Sequence, residues 1–155
     1  MNGLIAFWTI VHALLAIALL GAVTHQGLTV WRRPAPAQRF IDRFRAVPAE
    51  RFATTIALLF VLTFALGAYI YPTFVLDVKG VLADYGLRRT IGFFQLKEHI
   101  AVIGLALLPA YWHFWRSVPL TEGVATRRAL TTVLMIAVWW SLVVGHVLNN
   151  VRGLT

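Results

Sequence analysis

The chain has no cysteine, which removes disulfides, iron–sulfur clusters, thiolate zinc sites and the C-x-x-C-H attachment of c-type haem. Any metal cofactor must be held by other ligands. Acidic residues are scarce: there are 6 Asp and Glu against 14 Lys and Arg in 155 residues, a formal charge of +8. Charged residues of both signs make up 13%, whereas 59% are hydrophobic and mean hydropathy is +0.75. So little charge excludes an ordinary soluble protein, and the solvent such a chain demands is lipid. The positive excess does not point to nucleic acid, because the basic residues sit between apolar runs rather than on a soluble basic segment. No Lys or Arg precedes the first apolar run. That run also outlasts the core of about 7 to 15 residues of a signal peptide, so it is expected to be a retained span.

A hydrocarbon layer about 30 Å thick takes about 20 helical residues. Four stretches qualify, residues 4–31, 52–71, 94–115 and 129–147. They predict an all-α, integral membrane four-helix bundle forming one transmembrane domain over residues 1–155. The first run exceeds the need and is expected to tilt or protrude. Trp8, Trp31, Tyr69, Tyr71, Trp112 and Trp115 mark several ends, as suits rings with one polar edge. Orientation follows from Lys and Arg, which resist translocation. The first connection holds Arg32, Arg33, Arg39, Arg43, Arg45 and Arg51, and the third holds Arg116, Arg127 and Arg128. Lys79, Arg88, Arg89, Lys97 and Arg152 lie on the other side, nine against five. Both termini are therefore expected outside, in a multi-pass protein of the cytoplasmic (inner) membrane.

Two connections carry helical patterning. Phe40, Ile41, Phe44 and Val47 alternate with charged residues in the first, and Val75, Val78, Leu82 and Tyr85 form a stripe in the second. Both suit segments resting on the membrane, or docking a partner. A faint repeat relates His12, His25, Trp31, Arg32 and Pro34 to His99, His113, Trp115, Arg116 and Pro119. Pro109 interrupts the third span, where it is expected to kink the helix.

All five histidines fall within spans, where an ionisable side chain is costly and is by default a functional candidate. His25 and His113 lie towards the cytoplasmic ends; His12, His99 and His146 lie towards the outer ends. Imidazole is a common axial ligand for haem iron. His99 and His113 are fourteen residues apart, which returns to within about 40° of one helix face with a rise of about 21 Å. In this the chain resembles the dihaem b-type cytochromes of respiratory membranes, whose helices carry histidines thirteen or fourteen residues apart and sandwich a haem near each surface. The resemblance covers spans one, three and four. It implies two haem b groups, the inner held by His25 and His113, the outer by His99 with His12 or His146. His12 and His25 lie about 140° apart on an ideal helix, which favours His146 as the outer ligand.

Gly21, Gly104 and Gly145 would let a flat macrocycle approach the backbone, although glycine is equally normal at helix contacts in membranes. Arg32, Arg33 and Arg116 could pair with inner propionates, and Arg88, Arg89 or Lys97 with outer ones. The expected function is a membrane electron-transfer subunit, possessing no substrate-converting domain, that relays electrons between a quinol and a partner within a membrane redox complex. Tyr69, Tyr71, Lys97 and Glu98 lie where a quinol proton could leave. Two other classes compete. His12, His99 and His146 with Glu98 could handle a non-haem metal, although Glu98 points about 100° from its neighbour His99. Alternatively, small residues such as Ala65, Gly67, Ala68, Ala137 and Ser141 could pack a cofactor-free accessory subunit against a larger complex.

Overall fold

A computed structural model of the chain describes residues 3–31 and 48–152. The first connection, with Phe40, Ile41, Phe44 and Val47, lies outside the described residues. Helix α1 is Gly3–Trp31. A 3-10 turn, Ala49–Arg51, leads into α2, Phe52–Phe74, which passes through a π-helical turn, Val75–Lys79, into the short α3, Gly80–Asp84. Helices α4, Arg88–Arg116, and α5, Val124–Arg152, complete the described chain. Among the described residues there is no strand.

These helices form because long apolar runs must satisfy their backbone groups internally in lipid. Among the described residues, four helical stretches are long and apolar enough to cross a bilayer, one of them the unbroken Ala49–Asp84. Their outward faces remain apolar, with Leu14, Ile17, Leu58, Leu62, Val102, Ile103, Ile136 and Val143 all exposed. The protein is thus an all-helical, multi-pass membrane bundle. The helices exceed the predicted spans at their ends. Of the stripe in the second connection, Val75, Val78 and Leu82 are part of the second long helix, with Val78 and Leu82 buried, whereas Tyr85 lies exposed just past its end. Pro72 stands three residues before the π-helical turn, and α4 runs through Pro109. Chain reversal falls at Gly86, whose φ of 73° suits glycine. There the N–H groups of Gly86 and Leu87 reach back to the carbonyls of Ala83 and Leu82 and close the helix end.

Helix α1 packs against α2 and α5, and α4 packs against both of these, so α1 and α4 face each other across the bundle. Leu19, Val23, Ile56, Phe60, Leu108, Tyr111, Leu134 and Val138 fill the space between them. Polar bonds set the antiparallel register. The Trp31 Nε1–H donates to Thr132 Oγ1 at 2.8 Å and that of Trp139 to Thr24 Oγ1 at 2.9 Å, joining α1 to α5. Trp115 Nε1–H donates to Thr131 Oγ1 at 3.1 Å, joining α4 to α5. At the core, the Tyr111 hydroxyl donates to Gln26 Oε1 at 2.5 Å while Gln26 Nε2 donates to the Ala49 carbonyl at 3.0 Å. This chain of bonds ties α1, the start of the second long helix and α4 together at one depth.

Arg127, only 4% exposed, organises the connection between α4 and α5. Its guanidinium donates to the carbonyls of Phe114, Val118, Pro119, Leu120 and Glu122. Carbonyls at a helix end lack intrahelical donors, and this one side chain supplies the donors for a whole reversal. The residue read from sequence only as an orientation signal is therefore also the internal support of a loop.

Candidate functional site

The register places the histidines at two depths, as their sequence positions predict. At the arginine-rich end, His25 is buried with its ring 4.6 Å from that of Phe52 at the start of α2. Contacts between α2 and α4, such as Phe60 over Gly104 and Phe74 against Phe94, run antiparallel and bring His113 to about the depth of Phe52. At the end bearing the termini, His12 lies on α1 beside Gly67 of α2, with His99 and His146 at neighbouring depth on α4 and α5.

Depth is shared, but direction is not. The inward face of α4 is built from Gly104, Leu108, Tyr111 and Trp115, all buried. His99 and His113 lie on the opposite side and are exposed; the His113 ring stands edge-on to Phe114 at 5.7 Å. His146 on α5 is also exposed. The structure therefore puts His25 inside the bundle and His113 on its outer face, and does not enclose them in one pocket. At the other depth, His12 turns towards α2 while His99 and His146 face outward. Among the described residues, no three His, Asp or Glu come together as a metal-holding group.

Ring nitrogens distinguish the outward histidines. His99 Nδ1 is 2.6 Å from the Gln95 carbonyl, one turn earlier. A carbonyl only accepts, so Nδ1 carries the proton and Nε2 keeps its lone pair. A bond from one ring nitrogen to a carbonyl fixes the tautomer of an imidazole and the aim of its other nitrogen. His146 differs, because Asn150 Nδ2 donates to its Nε2 at 3.2 Å and occupies that lone pair.

A second polar group joins three helices on the side bearing the termini. The Glu98 carboxyl is paired with the Tyr71 hydroxyl of α2, and Lys97 supplies a positive charge to both Glu98 and His12. The Lys97 ammonium sits 4.3 Å above the Phe94 ring, itself stacked on Phe74 at 3.7 Å. His12 fits here because α2 has glycine opposite: a Cβ on Gly67 would stand 3.1 Å from His12 Cε1. Two polar atoms, His12 Nδ1 and Thr63 Oγ1, are buried and find no hydrogen-bond partner among the described residues. Sequence reasoning placed Tyr71, Lys97 and Glu98 near this surface. It grouped His12 with Glu98 only as part of a metal set with His99 and His146, and it missed Thr63 and the turn of His12 towards α2, for which the available signal was Gly67, a gap on α2 facing α1.

The outer face of α4 thus presents two imidazoles, those of His99 and His113, of a chemistry that metals and haem iron take as ligands. As an acid–base site, the chain offers a carboxyl, a phenol, an ammonium and an imidazole within the apolar layer. No family model matches the chain, and neither a curated protein nor a solved structure matches it.

Proposed function

We propose that the protein is a membrane electron-transfer subunit that carries haem b on the outward face of α4 and couples to a quinol. The observation carrying this reading is the pair His99 and His113, both exposed on one face of α4 and fourteen residues apart. An imidazole turned towards lipid costs free energy even where one ring nitrogen is bonded, as that of His99 is to the Gln95 carbonyl, so two on one face favour a surface that something else covers. Haem bound there supplies one-electron transfer at two depths separated by about 21 Å along the helix. His99 is the better prepared ligand, since its Nδ1–H is already held by Gln95. Arg116, exposed three residues beyond His113, suits a propionate.

The Tyr71, Lys97, Glu98 and His12 group supports the quinol part of the reading. Two-electron oxidation of a quinol releases two protons, and carriers of single electrons need a separate place to put them. Glu98 and His12 can accept protons, and Lys97 and Tyr71 can steady the charge that each transfer leaves. The metal-handling alternative is weaker: His99 and His146 face outward while His12 faces α2, and no described three-ligand group forms.

Haem content per chain tests the proposal. His99→Ala and His113→Ala are each expected to lose about half of the haem of the wild type, the two losses falling on different redox centres. His146→Ala is expected to keep both. Retention of all haem in the His99→Ala, His113→Ala double variant would overturn this site.

A further inference from the structure

We propose that the contact of α1 with α2 at Gly67 is a binding site for one uncharged hydroxyl group, that of a water or of a quinol, held between His12 Nδ1 and Thr63 Oγ1. The quinol source rests on the quinol part of the reading above. The water source stands without it, and neither depends on haem.

Glycine on α2 makes the place. The His12 ring of α1 lies so close that a Cβ on Gly67 would stand 3.1 Å from its Cε1 and 3.7 Å from its Nδ1. Thr63 precedes Gly67 by one helical turn and so lies on the same face of α2. One imidazole and one hydroxyl are thereby brought to one side of the contact. His12 Nδ1 and Thr63 Oγ1 are both buried, and neither has a hydrogen-bond partner among the described residues. A hydroxyl within a helix can turn to the carbonyl one turn back, as Thr9 does to Ile5 at 2.8 Å on α1. Thr63 does not take that bond. Buried polar groups are as a rule bonded, the more so in an apolar layer that offers no bulk water to turn to. Two such atoms on facing helices therefore point to a third group that joins them.

Donors and acceptors decide what that group is. A neutral imidazole nitrogen accepts or donates according to its tautomer, and a hydroxyl does both. A hydroxyl ligand therefore serves Nδ1 in either tautomer while it bonds Thr63. A cation is disfavoured because Lys97 already sets a positive charge towards His12, and a net charge of either sign is costly in an apolar layer. A hydroxyl bonded to Nδ1 also stands where an imidazole can take its proton.

The test uses the full chain in liposomes, labelled with nitrogen isotope at histidine and read by solid-state NMR. The His12 signal is identified by its loss in His12→Asn. Spectra are taken without quinol and with duroquinol kept reduced, for wild type, Thr63→Val and Thr63→Ser, and helical circular dichroism checks that each is folded. A hydrogen-bonded Nδ1 in contact with water or duroquinol protons is expected in wild type, lost in Thr63→Val and kept in Thr63→Ser. Contact with water in the absence of duroquinol identifies water as the source; a bond that arises only with duroquinol identifies the quinol. A water that duroquinol leaves unchanged supports the site and counts against the quinol part of the reading above. An unbonded Nδ1 under both conditions, a bond that survives Thr63→Val, or a bond made directly to Thr63 with no contact to either source overturns the site.

Discussion

Arg127 shows how much a single side chain does in this bundle. A guanidinium offers five N–H donors in a rigid fork, whereas an ammonium offers three around a point. Here the fork serves five carbonyls of the α4–α5 reversal. Arg127→Met is expected to cost about 2 to 4 kcal/mol, given the strength of bonds to charged donors and the hydration that offsets some of their loss. Arg127→Lys should restore less than half of it. Thermal unfolding in detergent, followed by helical circular dichroism, reads both; equal midpoints for Lys and wild type would show that charge alone suffices. Tyr111 and Gln26 give a second case, since both are fully buried. Tyr111→Phe leaves Gln26 Oε1 without its donor and should cost about 1 to 3 kcal/mol. The Tyr111→Phe, Gln26→Leu double variant should be less destabilised than the separate costs add up to, because one change removes the group that the other strands.

At the scale of helices, lipid and core ask for the same residues, and this decides what could be read from sequence. Span number and approximate extent were legible, because length and apolarity alone set them. The two depths of the histidines were legible too, following from position along antiparallel spans. Facing was not. On α4, Leu96, Val102 and Ile103 point outward while Leu105, Leu107 and Leu108 pack inward, so the apolar pattern carries no signal of which side is inside. That is why the fourteen-residue spacing of His99 and His113 predicted a shared face but not its direction. The acid–base group was half legible: Tyr71, Lys97 and Glu98 could be placed near one surface, whereas the part played by His12 depends on α1 meeting α2 at Gly67. Close approach of helices is testable at Gly104, where an added Cβ would stand 2.6 Å from Phe60 Cζ. Gly104→Ala should destabilise the bundle by about 1 to 3 kcal/mol, and Phe60→Leu in the same chain should recover most of it. No recovery would mean that the backbone of α4, rather than the Phe60 ring, absorbs the clash.

For the whole molecule, the four spans bring the two ends of the described chain, Gly3 and Arg152, to one side, and the balance of nine basic residues against five leads us to propose that this side is the exterior. Reporter fusions after Val124 are expected to read cytoplasmic, and fusions after Lys79 or at Thr155 external; the reverse would exchange the labels without disturbing the two depths. The proposed transfer of electrons on haem is tested by a reductive titration of purified wild-type protein, monitored by absorption with haem quantified per chain. The expected result is a Soret band, sharp α-bands on reduction and two resolvable one-electron centres. A colourless protein from cells amply supplied with haem, folded and inserted as four spans, would contradict it.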